Sequence, residues 1–150
     1  VFVDVLISID MTGATLAEIV ANQFLGSGIL PIQVQSGTPL IQGNTFASTA
    51  TSDGAVYVQN GKPVLRSNTF TSNKGIAIQP GADADLGTAA SPGLNSFAAV
   101  PGFGVKHDGA ATIQAQGNTW QHAPPTAGVD IVVTGAGSVV YGPGINDHVP

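Results

Sequence analysis

The chain has 150 residues, of which 4 are Lys or Arg and 9 are Asp or Glu, so 9% are charged against about 25% in an ordinary soluble domain. Hydrophobic residues make up 43%, enough to bury one sizeable core and too many for a charge-driven disordered chain. With a net charge of −5 and no cysteine, nucleic acid and anionic membrane are excluded as partners, and so are disulfides, Cys-ligated zinc and thiol chemistry.

The chain opens Val1-Phe2-Val3-Asp4, without an initiator Met or a basic leader. No apolar run approaches the ~18 residues that span a bilayer, so no membrane insertion is expected. An apolar β pattern starting at residue 1 reads as a strand entered from something upstream. Residues 1–150 are therefore expected to form one domain, as a processed form or a fragment of a longer chain.

The first alternating run is Ile7-Ser8-Ile9-Asp10, a half-buried strand signal. Next comes a stretch with two readings. Leu16, Ile19, Val20 and Phe24 stand at helical spacing, while Asn22-Gln23-Phe24 opens a series that favours a strand. That series is an Asn-polar-aromatic tripeptide, repeated as Asn44-Thr45-Phe46, Asn68-Thr69-Phe70, Asn95-Ser96-Phe97 and Asn118-Thr119-Trp120. The intervals are 22, 24, 27 and 23 residues, and five of the seven Phe and Trp residues fall in this slot.

Ahead of each later tripeptide lies another alternating run: Ile32-Gln33-Val34-Gln35, Val56-Tyr57-Val58-Gln59, Ile76-Ala77-Ile78-Gln79 and Val105-Lys106-His107-Asp108. A sixth, Val129-Asp130-Ile131-Val132, has no clear tripeptide after it. Apolar pairs precede most Asn positions, as Ile19-Val20, Leu40-Ile41 and Val64-Leu65, more weakly at Ile113 and Ala115. Gly and Pro punctuate between. One such unit cannot bury its apolar face alone, whereas stacked coils bury a continuous core. An all-β parallel solenoid of about six coils follows, with 22–27-residue repeats, an asparagine ladder at one corner and an aromatic column inside. Long excursions such as Pro80 to Gly93 mark exposed edges.

Aligning the alternating runs puts Ile7 with Ile32 and Val129 with Val105. The outward columns then hold Gln33, Tyr57, Ala77, Lys106 and Asp130, and beside them Asp10, Gln35, Gln59, Gln79 and Asp108. Gln35, Tyr57, Gln59, Gln79, Lys106 and Asp108 are the candidate ligand-binding strip, because amides suit sugar hydroxyls and an aromatic face suits a sugar ring. The plainer reading is an amide surface that keeps the rod soluble. Asp130 would sit one coil from Lys106 as a surface ion pair. His107 falls in an inward column and reads as a core histidine. Asp83 and Asp85, two apart on a loop, are the candidate metal pair for Ca²⁺, against simple loop solvation. His122 and His148 read as exposed.

The repeat with its Asn-Thr-Phe turns resembles the right-handed parallel β-helix of pectate-lyase-like proteins. The segment from Asp85 to Phe97 is similar to a stretch of the DUF1565 group of such repeat proteins. The resemblance implies a right-handed parallel β-helix over nearly the whole chain and leaves chemistry open, since this architecture hosts lyases, hydrolases, adhesins and inert surface proteins. A pectate-lyase-like site needs clustered carboxylates and a basic Arg; the one Arg, Arg66, has no carboxylate near it in sequence. A polygalacturonase-like site needs paired Asp with Gly-His and Arg-x-Lys, and neither pattern occurs. No catalytic residue carries over.

The expected function is a non-catalytic extracellular or cell-surface β-helix with a structural or adhesive role, self-assembling end to end. The alternative is a polysaccharide-binding or polysaccharide-degrading module. No cap is evident at either end, so the expected partners are other copies or an adjacent chain.

Overall fold

The structure, a computed structural model, describes residues 1–3, 7–13, 16–26, 30–48, 54–144 and 146–150. Among them are sixteen strands and no helix. The strands stack as three faces of a parallel β-solenoid. The first face orders β14 (Ile131–Val133), β12 (Val105–His107), β11 (Ile76–Ile78), β8 (Val56–Val58), β5 (Leu30–Val34) and β2 (Ile7–Met11). The second runs β3 (Glu18–Val20), β6 (Leu40–Gln42) and β9 (Val64–Arg66), passes through two isolated bridges at Asp85, and continues as β13 (Thr112–Gln114) and β15 (Ser138–Val140). The third runs β1 (Phe2–Val3), β4 (Gln23–Gly26), β7 (Thr45–Ser48) and β10 (Thr69–Phe70), then bridges at Ser96 and Thr119. Five coils carry all three faces, and a sixth carries two.

Period-two alternation sends one side of each strand inward. Ile32, Val56, Ile76, Val105 and Ile131 form one fully buried column on the first face. Ile19, Ile41 and Leu65 do the same on the second. On the third face Phe24, Phe46, Phe70, Phe97 and Trp120 stack with centroids 4.9, 4.8, 4.9 and 5.0 Å apart and planes tilted by 7°, 8°, 13° and 20°. The spacing is that of hydrogen-bonded strands, about 4.7–4.9 Å. The backbone sets it, and the rings fill it.

The corner before each aromatic is held by asparagine. The backbone N–H groups of Asn22, Asn44, Asn68 and Asn95 donate to the side-chain oxygens of Asn44, Asn68, Asn95 and Asn118, at 2.8, 3.0, 3.0 and 2.9 Å. The amide nitrogens of Asn44, Asn68, Asn95 and Asn118 donate back to the carbonyls of Ile19, Ile41, Leu65 and Leu86 at 2.8–3.1 Å. The residue ahead of each Asn takes the left-handed turn: Ala21, Gly43, Ser67, Leu94 and Gly117, with φ of 56°, 63°, 55°, 54° and 73°. The left-handed conformation falls on the residue before the asparagine, so the corner recurs even where that residue is a leucine. At Gly93 a Cβ would run into the Leu86 carbonyl and the Asn118 side-chain oxygen, so only glycine lets this coil close onto the ladder.

Two expectations change. Ile9 pairs with Ile32 and Met11 with Val34, so the first strand sits two residues out from the alignment above. The last does too, with Val105 opposite Ile131 and Lys106 opposite Val132. A two-residue slip keeps every side chain on its face, so alternation alone cannot choose between the two registers. The strand reading of the first coil, favoured over the helical one, holds as β3 and β4. The last-coil end is not open, because β16 (His148–Val149) folds back antiparallel on β15 and buries Val149.

Two outcomes test this packing. Phe70→Ala should cost about 3–5 kcal/mol in denaturant titration, as expected for a large ring lost from a tight core. Leu94→Gly should stabilise: the left-handed conformation costs a non-glycine residue about 1–2 kcal/mol, and glycine's extra chain entropy returns about 0.5–1 kcal/mol of that. Since the Leu94 side chain is 62% exposed and gives up little packing, a net gain of about 0.5–1 kcal/mol should appear in the same titration.

Candidate functional site

The first face presents the sequence-predicted strip. Gln33, Tyr57, Ala77 and Lys106 stand in one register row. Gln35, Gln59, Gln79 and Asp108 follow the inward residues of the next row, so the structure brings all six candidates onto one face. Their polar ends engage one another. The Gln35 amide donates to both oxygens of Asp10 at 2.9 and 2.8 Å, and Gln33 donates to Gln59 at 2.9 Å. Asp108 is the hub: Lys106 Nζ lies 2.7 Å from one oxygen, the Thr134 hydroxyl donates to the other, and the Gln79 amide stands at 3.5 Å. Burial pushes the Asp108 carboxyl up, but the hydrogen bonds from Lys106 and Thr134, with the charges of Lys106 and His107, outweigh it and hold it below its ordinary value.

His107 is fully buried, in line with the core reading. Its Nε2 lies 2.8 Å from the Ala111 carbonyl, which can only accept, so Nε2 carries the proton. Nδ1 is buried without a hydrogen-bond partner.

Asp83 and Asp85 lie on the second face and meet cations that sequence spacing hides. Lys62 Nζ is 2.8 Å from Asp83, and Arg66 Nη2 is 2.8 Å from Asp85. The remaining oxygens accept from the backbone N–H of Ala84 at 2.7 Å and of Gly87 at 2.9 Å. Asp83, by hydrogen bond and charge, holds the Lys62 ammonium above its ordinary value. Salt bridges rather than an open oxygen cage occupy this edge. Among the described residues no group of three or more His, Cys, Asp or Glu is placed to hold a metal.

A third region was not legible in sequence. A groove of about 440 Å³ opens beside the last third-face rung. Asn118 and Trp120 line it, with His122 and Pro124 from the following loop and Tyr141 and Asp147 from the last coil. His122 Nδ1 is 2.9 Å from a carboxylate oxygen of Asp130, which also accepts the Thr126 N–H at 2.6 Å. Asp130 is 3% exposed and does not share a column with Lys106; His122 is exposed, as its sequence position suggests, and takes this carboxylate as its partner. The register slip of β14 carries Asp130 out of the outward column and into this loop.

The family described as "Protein of unknown function (DUF1565)" matches residues 2–127. The chain belongs to the DUF1565 family. No curated protein and no solved structure matches it. The DUF1565 match spans five coils and the loop as far as Ala127, so Asp130, Tyr141, Asp147 and β16 lie beyond it. Both walls of the strip's hub, Lys106 and Asp108, lie within it, while Thr134 does not.

Because the folded pKa of Asp108 is depressed, its contribution to stability is full above the unfolded value near 3.8 and fades as pH falls through the lower folded value. Lys106→Gln in this DUF1565 chain should move the Asp108 titration upward in a carbon-detected NMR pH series. It should also start the acid loss of stability at higher pH than in the parent. An unmoved titration would show that Thr134 and the His107 charge hold the carboxylate without Lys106.

Proposed function

We propose that this DUF1565 chain is a non-catalytic β-helix of the extracellular space or cell surface, with a structural or adhesive role. The observation that supports it is the unbroken side-chain ladder and aromatic column through five coils. A rod stiffened along its whole axis suits a spacer or a presented surface. Three of its four Lys and Arg residues pair along the sides, as Lys62–Asp83, Arg66–Asp85 and Lys106–Asp108. In intact cells that make the chain, a membrane-impermeant amine reagent should label Lys62, whose side chain is 56% exposed. Labelling seen only after lysis would overturn the surface assignment.

A polysaccharide-binding or polysaccharide-degrading module is the second reading, favoured by Tyr57 near the middle of the six-stranded face with Gln35, Gln59 and Gln79 on neighbouring rungs. On this reading Tyr57→Ala abolishes retardation in polysaccharide affinity gels and leaves the melting temperature nearly unchanged, since an outward residue adds little to the core. Release of unsaturated products, followed by absorbance, would point to lyase activity. A parent chain that no polysaccharide retards leaves the structural role alone.

A further inference from the structure

The corner between the first and second faces repeats from coil to coil in backbone but not in sequence. Val34, Val58 and Ile78 share one register row. Two residues further on, Ser36, Asn60 and Pro80 therefore hold the same place, each followed by a glycine. That glycine is required. Gly37 and Gly61 have φ of 82° and 89°, and a Cβ at Gly61 would lie 2.5 Å from the Gly37 carbonyl oxygen. The residue before it is not fixed by the fold, since a serine and a proline hold it in the neighbouring coils. Only here does the sequence place an asparagine directly before a glycine.

Asn60 lives in surroundings unlike those of the ladder. Asn44, Asn68 and Asn95 are buried, and each amide is bonded at both its oxygen and its nitrogen. Asn60 is exposed, and among the described residues its side-chain amide makes no hydrogen bond. The backbone on either side is pinned. Gln59 and Asn60 donate their N–H to the Val34 carbonyl at 2.9 and 3.2 Å, and Lys62 donates to the Gly37 carbonyl at 2.8 Å. Between them the Gly61 N–H has no acceptor among the described residues. An unengaged backbone nitrogen with no Cβ beside it is thus bonded next to an unengaged carboxamide. Ring closure between them is intramolecular and needs no encounter.

We propose that Asn60-Gly61 is a self-modification site, at which the chain deamidates through a cyclic imide. The Gly61 nitrogen gives its proton to solvent and bonds to Asn60 Cγ. The Cγ–Nδ2 bond breaks, and ammonia leaves. Water then adds to one of the two imide carbonyls. Cleavage between nitrogen and Cγ restores the ordinary main chain with aspartate at position 60. Cleavage between nitrogen and the main-chain carbonyl carbon leaves isoaspartate, with the backbone running through Cβ and Cγ and one carbon longer. Either route consumes one water and releases one ammonia. The longer backbone has no room at this corner, because Gly61 packs against Gly37 on one side and accepts the Asp83 N–H at 3.0 Å on the other. Isoaspartate therefore loosens the third coil from both neighbours, and the rod carries an ageing site near its middle.

The proposal does not depend on the location or role of the rod, since it is read on the purified chain. The full chain is incubated for weeks at neutral pH and physiological temperature, beside a synthetic peptide of residues 55–66. The fragment carrying Asn60 is followed by mass spectrometry, with isoaspartate read by electron-transfer fragmentation. The folded chain should gain one mass unit at Asn60 and none at the ladder asparagines, with ammonia released in step. The aged parent should unfold at lower denaturant than the fresh one. Asn60→Ser, which installs the residue of the preceding coil, should gain no mass at this position and keep its midpoint on ageing. Should Asn60→Ser not fold, Asn60→Gln takes its place, because its larger ring closes far more slowly. An Asn60 left intact in the folded chain when the peptide is fully converted overturns the proposal. A converted chain that unfolds at the fresh midpoint overturns the ageing role.

Discussion

The asparagine corner is the constraint on which the rest of the structure depends. A chain that turns sharply between two faces in every coil leaves the first N–H of the next strand without a strand partner. Here the side-chain oxygen of the following coil's asparagine takes it, and the same amide reaches back to a carbonyl of the coil before, as Asn95 does to Leu65. Asn44, Asn68 and Asn95 are 0–1% exposed, where an unpaired N–H costs about 1–3 kcal/mol. Each asparagine satisfies its neighbour's backbone as well as its own surroundings. Loss of one therefore damages two coils, and stability propagates along the axis by nearest-neighbour coupling.

The corner also disciplines the core. Once the backbones are locked at strand spacing, the residue two past each asparagine meets its counterparts at that spacing and nearly parallel. A planar ring fills the slot by stacking on its counterparts, and the column keeps within 20° of parallel even where Trp120 replaces a phenylalanine. The left-handed residue before the asparagine is the cost of the sharp turn. Leu94 carries it at 54° because the turn is over-determined by the ladder on one side and by the Gly93 backbone approach on the other.

The repeat made the fold readable because it recorded one physical rule five times. The Asn-polar-aromatic tripeptide exposed the ladder, the column and the coil length together. What escaped were features without periodicity. Registers of β2 and β14 were ambiguous because Ile7, Ile9 and Met11, like Val129, Ile131 and Val133, alternate over more residues than the ladder uses. The β16 cap escaped because it runs against the repeat, two residues long in a stretch of Gly and Pro. The His122–Asp130 pair and the groove beside it belong to a loop and a truncated coil, where no neighbouring unit offers a template.

The polar contacts carry a different lesson about distance in sequence. Arg66 reaches Asp85 over 19 residues, Gln35 reaches Asp10 over 25, and Thr134 reaches Asp108 over 26. In a solenoid, one coil of sequence is a single strand spacing in space, so groups that look isolated are adjacent. A search for chemistry at short motif spacing finds Asp83 and Asp85 as a pair and misses that each is already neutralised by a cation from the coil before. It also treats Arg66 as lacking a carboxylate, when the fold supplies one at 2.8 Å. Three of the four Lys and Arg residues are thus held by carboxylates along the sides of the rod. Unspent hydrogen-bonding capacity collects where the repeat stops, on the third face at Asn118 and Trp120.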